Sequence, residues 1–163
     1  MDYIKPYKGD PQEGNLSTPI SDSAFTRAFI GNLPAYRTGL SPLTRGLEVG
    51  LAHGYFLLGP WYKFGPLRDS EFAAIGAFVS AVTLVLIATV ALSAHGTVSL
   101  GGKSASAPDT LAAYSSPDRI KTAEGWSEFA GGFFVGGAGG AFVAYFLIQN
   151  LSVVDAIFRG LVN

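Results

Sequence analysis

The stretch FAAIGAFVSAVTLVLIATVALSA, residues 72–94, decides the fold class, because its 23 consecutive residues carry no charge. A helix of that length extends about 34 Å at 1.5 Å per residue, and the hydrocarbon core of a bilayer is about 30 Å thick. His95 and Gly96 follow the stretch and are expected to end the helix. The stretch therefore predicts a transmembrane helix.

Two further stretches have the length and composition of membrane spans. Residues 129–148 again carry no charge, and Trp126 precedes them, as expected near a membrane surface. Residues 43–59 are near the lower length limit of about 17 residues for a span, and they contain the ionisable residues Glu48 and His53. The sequence thus predicts an all-α membrane protein with three transmembrane helices, at about residues 43–59, 72–94 and 129–148.

The three predicted spans make up a transmembrane domain of residues 43–148. The segments that flank this domain are expected to form short interfacial helices. In the N-terminal segment, residues 1–42, Asp22 or Ser21 could cap a helix that Gly31 ends. The apolar face of that helix would consist of Phe25, Phe29 and Ile30. Such a face next to a membrane span favours a position in the membrane interface.

The C-terminal tail, residues 149–163, shows the same kind of pattern. Asp155 and Arg159 are spaced for an ion pair across one helical turn. On another face of the same helix lie four apolar residues, Val154, Ile157, Phe158 and Leu161.

Residues 95–126 are rich in Gly, Ser, Ala and Pro without a periodic pattern, which predicts a solvated loop.

Composition excludes several classes of protein. Charged residues make up 14% of the chain, against about 25% in a soluble domain. There is no cysteine, which removes disulfides, thiol nucleophiles and cysteine metal sites. Phosphate-binding, nucleophile-elbow and zinc-helix motifs are also missing from the sequence. A net charge of −1 gives no attraction for nucleic acid. We therefore expect neither an enzyme nor a nucleic-acid-binding protein.

Basic residues indicate the orientation. With three spans, the N-terminal segment and the second loop lie on one side, and the first loop and the tail lie on the other. The positive-inside rule assigns the more basic side to the cytoplasm, so we expect a cytoplasmic N-terminus and a C-terminus across the membrane. The basic residues on the side of the N-terminal segment and second loop are Lys5, Lys8, Arg27, Arg37, Arg45, Lys103, Arg119 and Lys121. Those on the side of the first loop and the tail are Lys63, Arg68 and Arg159.

Glycines recur every four residues in the first and third spans, at Gly46, Gly50 and Gly54 and at Gly132, Gly136 and Gly140. Small residues at this spacing let helices approach closely in lipid, where no water-driven force holds them together. Plain helix packing is one interpretation. A glycine face that admits a flat ligand or a partner subunit is the other.

Glu48 and His53 are the main candidates for a functional site. Ionisable groups inside a span are costly unless they are paired or functional. Five residues apart, they lie about 140° from each other around a helix, which argues against a joint acid–base role. His53 is either a neutral imidazole bonded to a neighbouring helix or an axial ligand to a tetrapyrrole metal. Glu48 either pairs with Arg45 near the membrane surface or serves as a separate attachment point.

Two other residues have weaker signals. Asp69 lies between Arg68 and Glu71 in the sequence GPLRDSE, where a local ion pair is the ordinary arrangement. A hard cation such as calcium, bound by Asp69 and backbone oxygens, is the alternative. His95 is read as a solvated interfacial histidine without an assigned role.

The stretch NLPAYRTGLSPLTRGLEVGLAHGYFLLGPWYKFGPLRDS, residues 32–70, closely resembles the photosystem I subunit XI family, PsaL, in its cyanobacterial form. GNLSTPISDSAFTRAFIGNLPAYR, EGWSEFAGGFFVGGAGGAF and the ending NLSVVDAIFRGLVN are similar to that family too. The resemblance implies a thylakoid membrane subunit with three transmembrane helices, a stromal (cytoplasmic) N-terminus and a lumenal C-terminus.

The resemblance also implies ligands and partners. Glu48 and His53 would each be an axial ligand to the magnesium of an antenna chlorophyll, and carotenoid, with beta-carotene as the expected pigment, would lie along apolar helix faces. Asp69 would contribute to a calcium site. Partners would be other photosystem I subunits, further copies of this chain in a trimer, and membrane lipids. A pigment-free structural subunit and a small transporter component, with Glu48 binding a proton, are the alternative functions.

Overall fold

A computed structural model describes residue 10 and residues 17–101 and 118–161 of the chain. Within these residues the structure is helical and contains no strand, which confirms the all-α prediction. The α-helices are α1 (Pro19–Asp22), α2 (Ala24–Asn32), α3 (Pro42–Phe64), α4 (Ala73–Leu100), α5 (Ala123–Gln149) and α6 (Leu151–Phe158), and a 3-10 helix covers Asp118–Lys121. Contacts divide the chain into one unit up to Gly39 and another that begins at Leu40 and contains α3 to α6.

The described part of the first unit contains two short helices, α1 and α2, rather than the one predicted. Ser23, not Asp22 or Ser21, caps α2: the Thr26 N–H donates to Ser23 Oγ over 3.2 Å. Asp22 instead accepts from the Arg27 guanidinium, 2.6 Å from Nε to Oδ1, and this hydrogen bond lowers the pKa of its carboxyl. Gly31 lies inside α2, so it does not end the helix as predicted. The backbone of Ser23 is extended, which places its hydroxyl where it can accept a hydrogen bond from an N–H of the first helical turn. Those N–H groups have no carbonyl partner within the helix.

Helix α3 extends beyond the predicted span on its C-terminal side. Ser41 caps it by accepting from the Thr44 N–H over 3.2 Å, and Pro42 occupies the first turn. Pro60 lies inside the helix, which continues to Phe64. A proline removes one backbone N–H donor without preventing the following turn from forming, so residue 59 is not a helix end.

Helix α4 also continues past its predicted end at His95 and Gly96, as far as Leu100. The hydroxyls of Ser93 and Thr97 each donate to the carbonyl four residues earlier, over 2.9 and 3.0 Å. The indole of Trp126 lies against Gly96, and it occupies the space that a side chain at this position would fill. Together with the start of α5 at Ala123, this corrects the predicted loop at residues 95–126.

Two helices of the described residues, α4 and α5, are long and apolar enough to cross a membrane, with mean hydropathies of 2.5 and 1.6 over their most apolar windows. Large apolar side chains of α4 are exposed, for example Val79 and Val90, the latter at 62%. Exposed apolar surface of this kind is normal only where lipid or a partner covers it. Helix α3 is 23 residues long but does not reach the same hydropathy.

The directions of the three long helices follow from their contacts. Helices α3 and α5 run parallel, because positions later in α3 face positions later in α5. Gly46 faces Phe129, and Gly54 faces Gly137. Along α4 the residue numbers fall as those of α5 rise: Gly96 lies against Trp126, and Val85 against Gly137. Helix α4 is therefore antiparallel to α5, as an up–down–up arrangement requires.

The basic residues that indicated the orientation are only partly visible. Lys5, Lys8 and Lys103 lie outside the described residues, as does the side chain of Arg119.

Arg45 is 1% exposed, which makes it the most deeply buried charged side chain of the described part. A buried guanidinium was not anticipated from the sequence, because arginine is rarely buried and nothing in the local pattern marks it.

Candidate functional site

The site is built on a reciprocal glycine contact between α3 and α5. A Cβ atom at Gly46, Gly50 or Gly54 would overlap the backbone carbonyl of Phe129, Phe133 or Gly137, respectively. Conversely, a Cβ at Gly132, Gly136 or Gly140 would overlap the carbonyls of Leu43, Leu47 and Leu51. Each helix thus presents its glycines to the other's backbone, and both predicted repeats serve helix packing with each other.

Helix α4 completes the bundle through small residues. Leu58 of α3 packs with Ala77 and Ala81 of α4 and with Ala141 and Ala144 of α5 in one buried cluster. Alanines at these positions let the three backbones approach while leaving only a thin layer of side chains between them. The rest of the apolar surface, including most of α4, points away from the bundle.

His53 lies on α3 beside this contact, with its imidazole exposed. Nδ1 is 2.7 Å from the carbonyl oxygen of Val49, one turn earlier. A carbonyl can only accept, so Nδ1 donates this hydrogen bond, and in the neutral imidazole Nε2 then keeps its lone pair. The ring is 5.7 Å from that of Phe133 on α5, at an angle of 57°. In the neutral ring, the nitrogen left for another partner is therefore Nε2, which has no hydrogen bond to its own helix in this contact.

Glu48 is half-buried on α3, about 140° around the helix from His53. The glycine stripe of α3 faces α5, and Glu48 lies on the far side of α3 from that stripe. The structure therefore does not bring the two predicted residues together. They belong to different surfaces of the same helix, as the spacing predicted.

Comparison with known proteins decides the family. The family model described as photosystem I reaction centre subunit XI, PsaL, matches residues 3–153. Photosystem I reaction center subunit XI from Synechocystis sp. is 63% identical over 160 residues, covering 98% of this chain and 96% of the relative. The same subunit from Trichodesmium erythraeum is 62% identical, covering 99% and 94%. The chain belongs to the photosystem I subunit XI family.

Membership in the subunit XI family confirms the predicted resemblance. The chain is a photosystem I subunit of the thylakoid membrane and not an enzyme, and its partners include other subunits of this pigment-containing complex. Photosystem I reaction center subunit XI from Porphyra purpurea is 50% identical over 154 residues, covering 94% of this chain and 94% of the relative. Against this family, the transporter alternative has no support.

Within this subunit XI chain, Asp69 is exposed and forms the local ion pair that its sequence predicted. Its Oδ2 lies 3.4 Å from Arg68 Nε, and its side chain is 84% exposed. Among the described residues no three His, Cys, Asp or Glu side chains gather where they could hold a metal ion. A calcium ion takes six to eight oxygen ligands, so Asp69 alone does not make a site.

His95 has better-defined surroundings than its sequence indicated. Its Nδ1 is 3.2 Å from Ser99 Oγ, and its ring is 5.3 Å from the Trp126 ring at an angle of 60°. The indole N–H of Trp126 donates to the Leu92 carbonyl over 2.6 Å. The spacing of His95 and Ser99, four residues apart, was the available signal, but it depended on α4 continuing past Gly96.

Proposed function

We propose that this chain binds antenna chlorophyll and carotenoid in photosystem I and joins copies of the complex into trimers. Chlorophyll supplies light absorption and excitation transfer, and the protein fixes the distance and orientation of the pigment. The observation that carries the proposal is the exposed His53 ring, whose Nδ1 is held by the Val49 carbonyl.

His53 fits the requirements of an axial ligand to the magnesium of a macrocycle. A metal-binding histidine normally donates its other ring N–H to a backbone carbonyl or a carboxylate, which fixes both tautomer and ring orientation. The bond from Nδ1 to Val49 provides this, and Nε2 is the nitrogen that would bind. Phe133 limits the tilt of the imidazole from the side of α5.

Glu48 is proposed as the axial ligand of a second chlorophyll. A carboxylate oxygen is a hard ligand of the kind that magnesium prefers. Since Glu48 and His53 lie on different faces of α3, each would hold its own pigment. This explains two costly polar groups in one helix better than a shared reaction does.

Carotenoid and lipid would cover the exposed apolar surface. On α4 this surface includes Val79, Leu86, Ile87 and Val90, which lie along two neighbouring rows of the helix. A long polyene such as beta-carotene, or an acyl chain, can lie along such rows. Calcium remains part of the proposal only as an ion shared with another chain, with Asp69 as one of its ligands.

We also propose that α3 is the third transmembrane helix, with the N-terminus on the cytoplasmic side. Its parallel contact with α5 supports this arrangement, as does the antiparallel direction of α4, which comes between them in the chain. Bound pigment would compensate for the polar groups that lower the hydropathy of α3. The basic residues of the N-terminal segment and second loop support the orientation.

Replacing His53 by leucine in the intact complex tests the pigment proposal. Leucine has no lone pair for magnesium, so we expect a cryo-EM map to lose one macrocycle per copy of the chain beside position 53. Phe56→Leu is the matched control, because Phe56 is an exposed apolar residue of the same helix. A wild-type map without a metal-bearing macrocycle at His53 Nε2 would refute the proposal and leave a pigment-free structural subunit.

A further inference from the structure

The two histidines of the chain, His53 and His95, have matching surroundings. Each imidazole is exposed, and each has Nδ1 close to an oxygen atom four residues away along its helix. Each ring also lies beside one aromatic side chain of α5, at 5.7 Å for His53 and 5.3 Å for His95. The interplanar angles are nearly equal, 57° and 60°.

The aromatic partners of the two histidines belong to one face of α5. Trp126 and Phe133 are seven residues apart, two turns of helix, and Phe129 lies between them on the same face. Trp126 and Phe129 are stacked, with their centroids 5.2 Å apart and an angle of 29°. His53 from α3 and His95 from α4 thus stand at opposite ends of one aromatic stripe, about 10 Å apart along the axis of α5.

From this geometry we infer that His95 is a further axial-ligand position for the magnesium of a tetrapyrrole, binding through Nε2. The inference rests on the proposed pigment-binding function and adds a position to it. With the proton on Nδ1, the ring donates to Ser99 Oγ and Nε2 keeps the lone pair that a metal needs. Only a coordination bond forms, and no proton or electron leaves the site.

The neighbours of His95 hold it ready for this role. The indole N–H of Trp126 is engaged by the Leu92 carbonyl, so the indole is fixed and cannot turn to bond the imidazole. The same indole fills the space beside Gly96, next to His95. The imidazole is therefore buttressed on the side of α5 and exposed on the other, where a flat macrocycle could approach.

The test is a cryo-EM map of the intact complex from wild type and from His95→Phe, together with low-temperature difference absorption spectra in the red chlorophyll band. We expect a macrocycle at Nε2 of His95 in wild type, and its loss in His95→Phe together with a bleached component in the spectrum. His95→Gln, which keeps a ligand atom, should retain the macrocycle. Ser99→Ala should lower its occupancy, because the ring loses the hydrogen bond that orients it.

The two proposals fail separately in this experiment. A wild-type map with a macrocycle at His53 and none at His95 would overturn the inference and leave the proposed function standing. A map without a macrocycle at His53 would overturn the proposed function itself. Identical red spectra for wild type and His95→Phe would also overturn the inference. His53→Leu is the matched control, because it should remove a different spectral component and leave the density at His95 unchanged.

Discussion

At the residue scale, the glycines of α5 differ by the face on which they lie. Gly132, Gly136 and Gly140 face the backbone of α3, whereas Gly131 and Gly139 face open space. The first group lacks side chains because the neighbouring carbonyls occupy their positions. For the second group the structure of this chain supplies no steric reason, and any reason must come from what covers α5.

Gly50→Ala and Gly139→Ala should therefore have opposite effects on stability. At Gly50 the new Cβ would meet the Phe133 carbonyl, so the helices must separate, at a cost of about 1–3 kcal/mol. At Gly139 there is space, and alanine should stabilise the helix by about 0.5–1 kcal/mol. The measurement is the temperature at which the subunit dissociates from purified complex. Equal losses for both variants would contradict the packing described for α3 and α5.

At the element scale, α3 shows how neighbours can offset a weak local signal. Its polar groups keep it below the hydropathy of α4 and α5, yet it has the most intimate contact in the bundle, a glycine-to-backbone contact over three turns. The close approach of the two backbones increases the van der Waals attraction between the helices and leaves no room for lipid between them. The partner helix therefore stabilises α3 where its own composition does not.

Single cysteines introduced at the helix ends test the topology, and the natural chain has none to interfere. Suitable exposed positions are Leu43, Glu71, Glu124 and Gln149, in the first turn of α3, the α3–α4 turn, the first turn of α5 and its last residue. An impermeant thiol reagent applied from the cytoplasmic side should label Leu43→Cys and Glu124→Cys only. Labelling of Leu43→Cys and Glu71→Cys from the same side would show that α3 does not cross the membrane.

At the scale of the whole molecule, much apolar surface remains uncovered. Besides the rows on α4, the C-terminal helix α6 exposes Val153, Ile157 and Phe158, the last at 86%. Its polar face carries the predicted Asp155–Arg159 pair, with 2.9 Å between Oδ1 and Nε. Exposed apolar surface of this kind is normal only where lipid or a partner covers it. Among the described helices, α6 has few contacts with the bundle of α3, α4 and α5.

On the proposal that the chain joins complexes into trimers, deleting residues 151–163 should convert trimers to monomers, because the apolar face of α6 would no longer be available to neighbouring copies. Sedimentation of detergent-extracted complexes measures the change. Arg159→Gln is the control: it breaks only an exposed ion pair, worth about 0–1 kcal/mol, and should leave trimers intact. Trimers that persist after the deletion would exclude α6 from the assembly interface.

Local pattern was sufficient for much of the architecture. Uncharged length predicted α4 and α5, and the four-residue glycine period predicted close packing. The ionisable character of Glu48 and His53 inside a span marked them as candidate site residues, and their role as pigment ligands stays a prediction. These features lie within single continuous stretches of the chain, so they can be recognised without knowing which helices are neighbours. The helix ends were less accurate: several neighbouring polar residues could cap α2, and the local pattern did not show that Ser23 is the one that does. The continuation of α4 past Gly96 involves packing against Trp126 of α5, which no local pattern shows.

Other properties came only from the tertiary structure. The sequence by itself determined an all-helical membrane chain of the subunit XI family with two glycine repeats and two histidines. Only the fold decided that each repeat fits the other helix's carbonyls, that Arg45 is buried, and that His95 shares an aromatic stripe with His53. The physical reason is that these facts depend on the relative placement of helices far apart in the chain, which close packing sets and local periodicity does not encode.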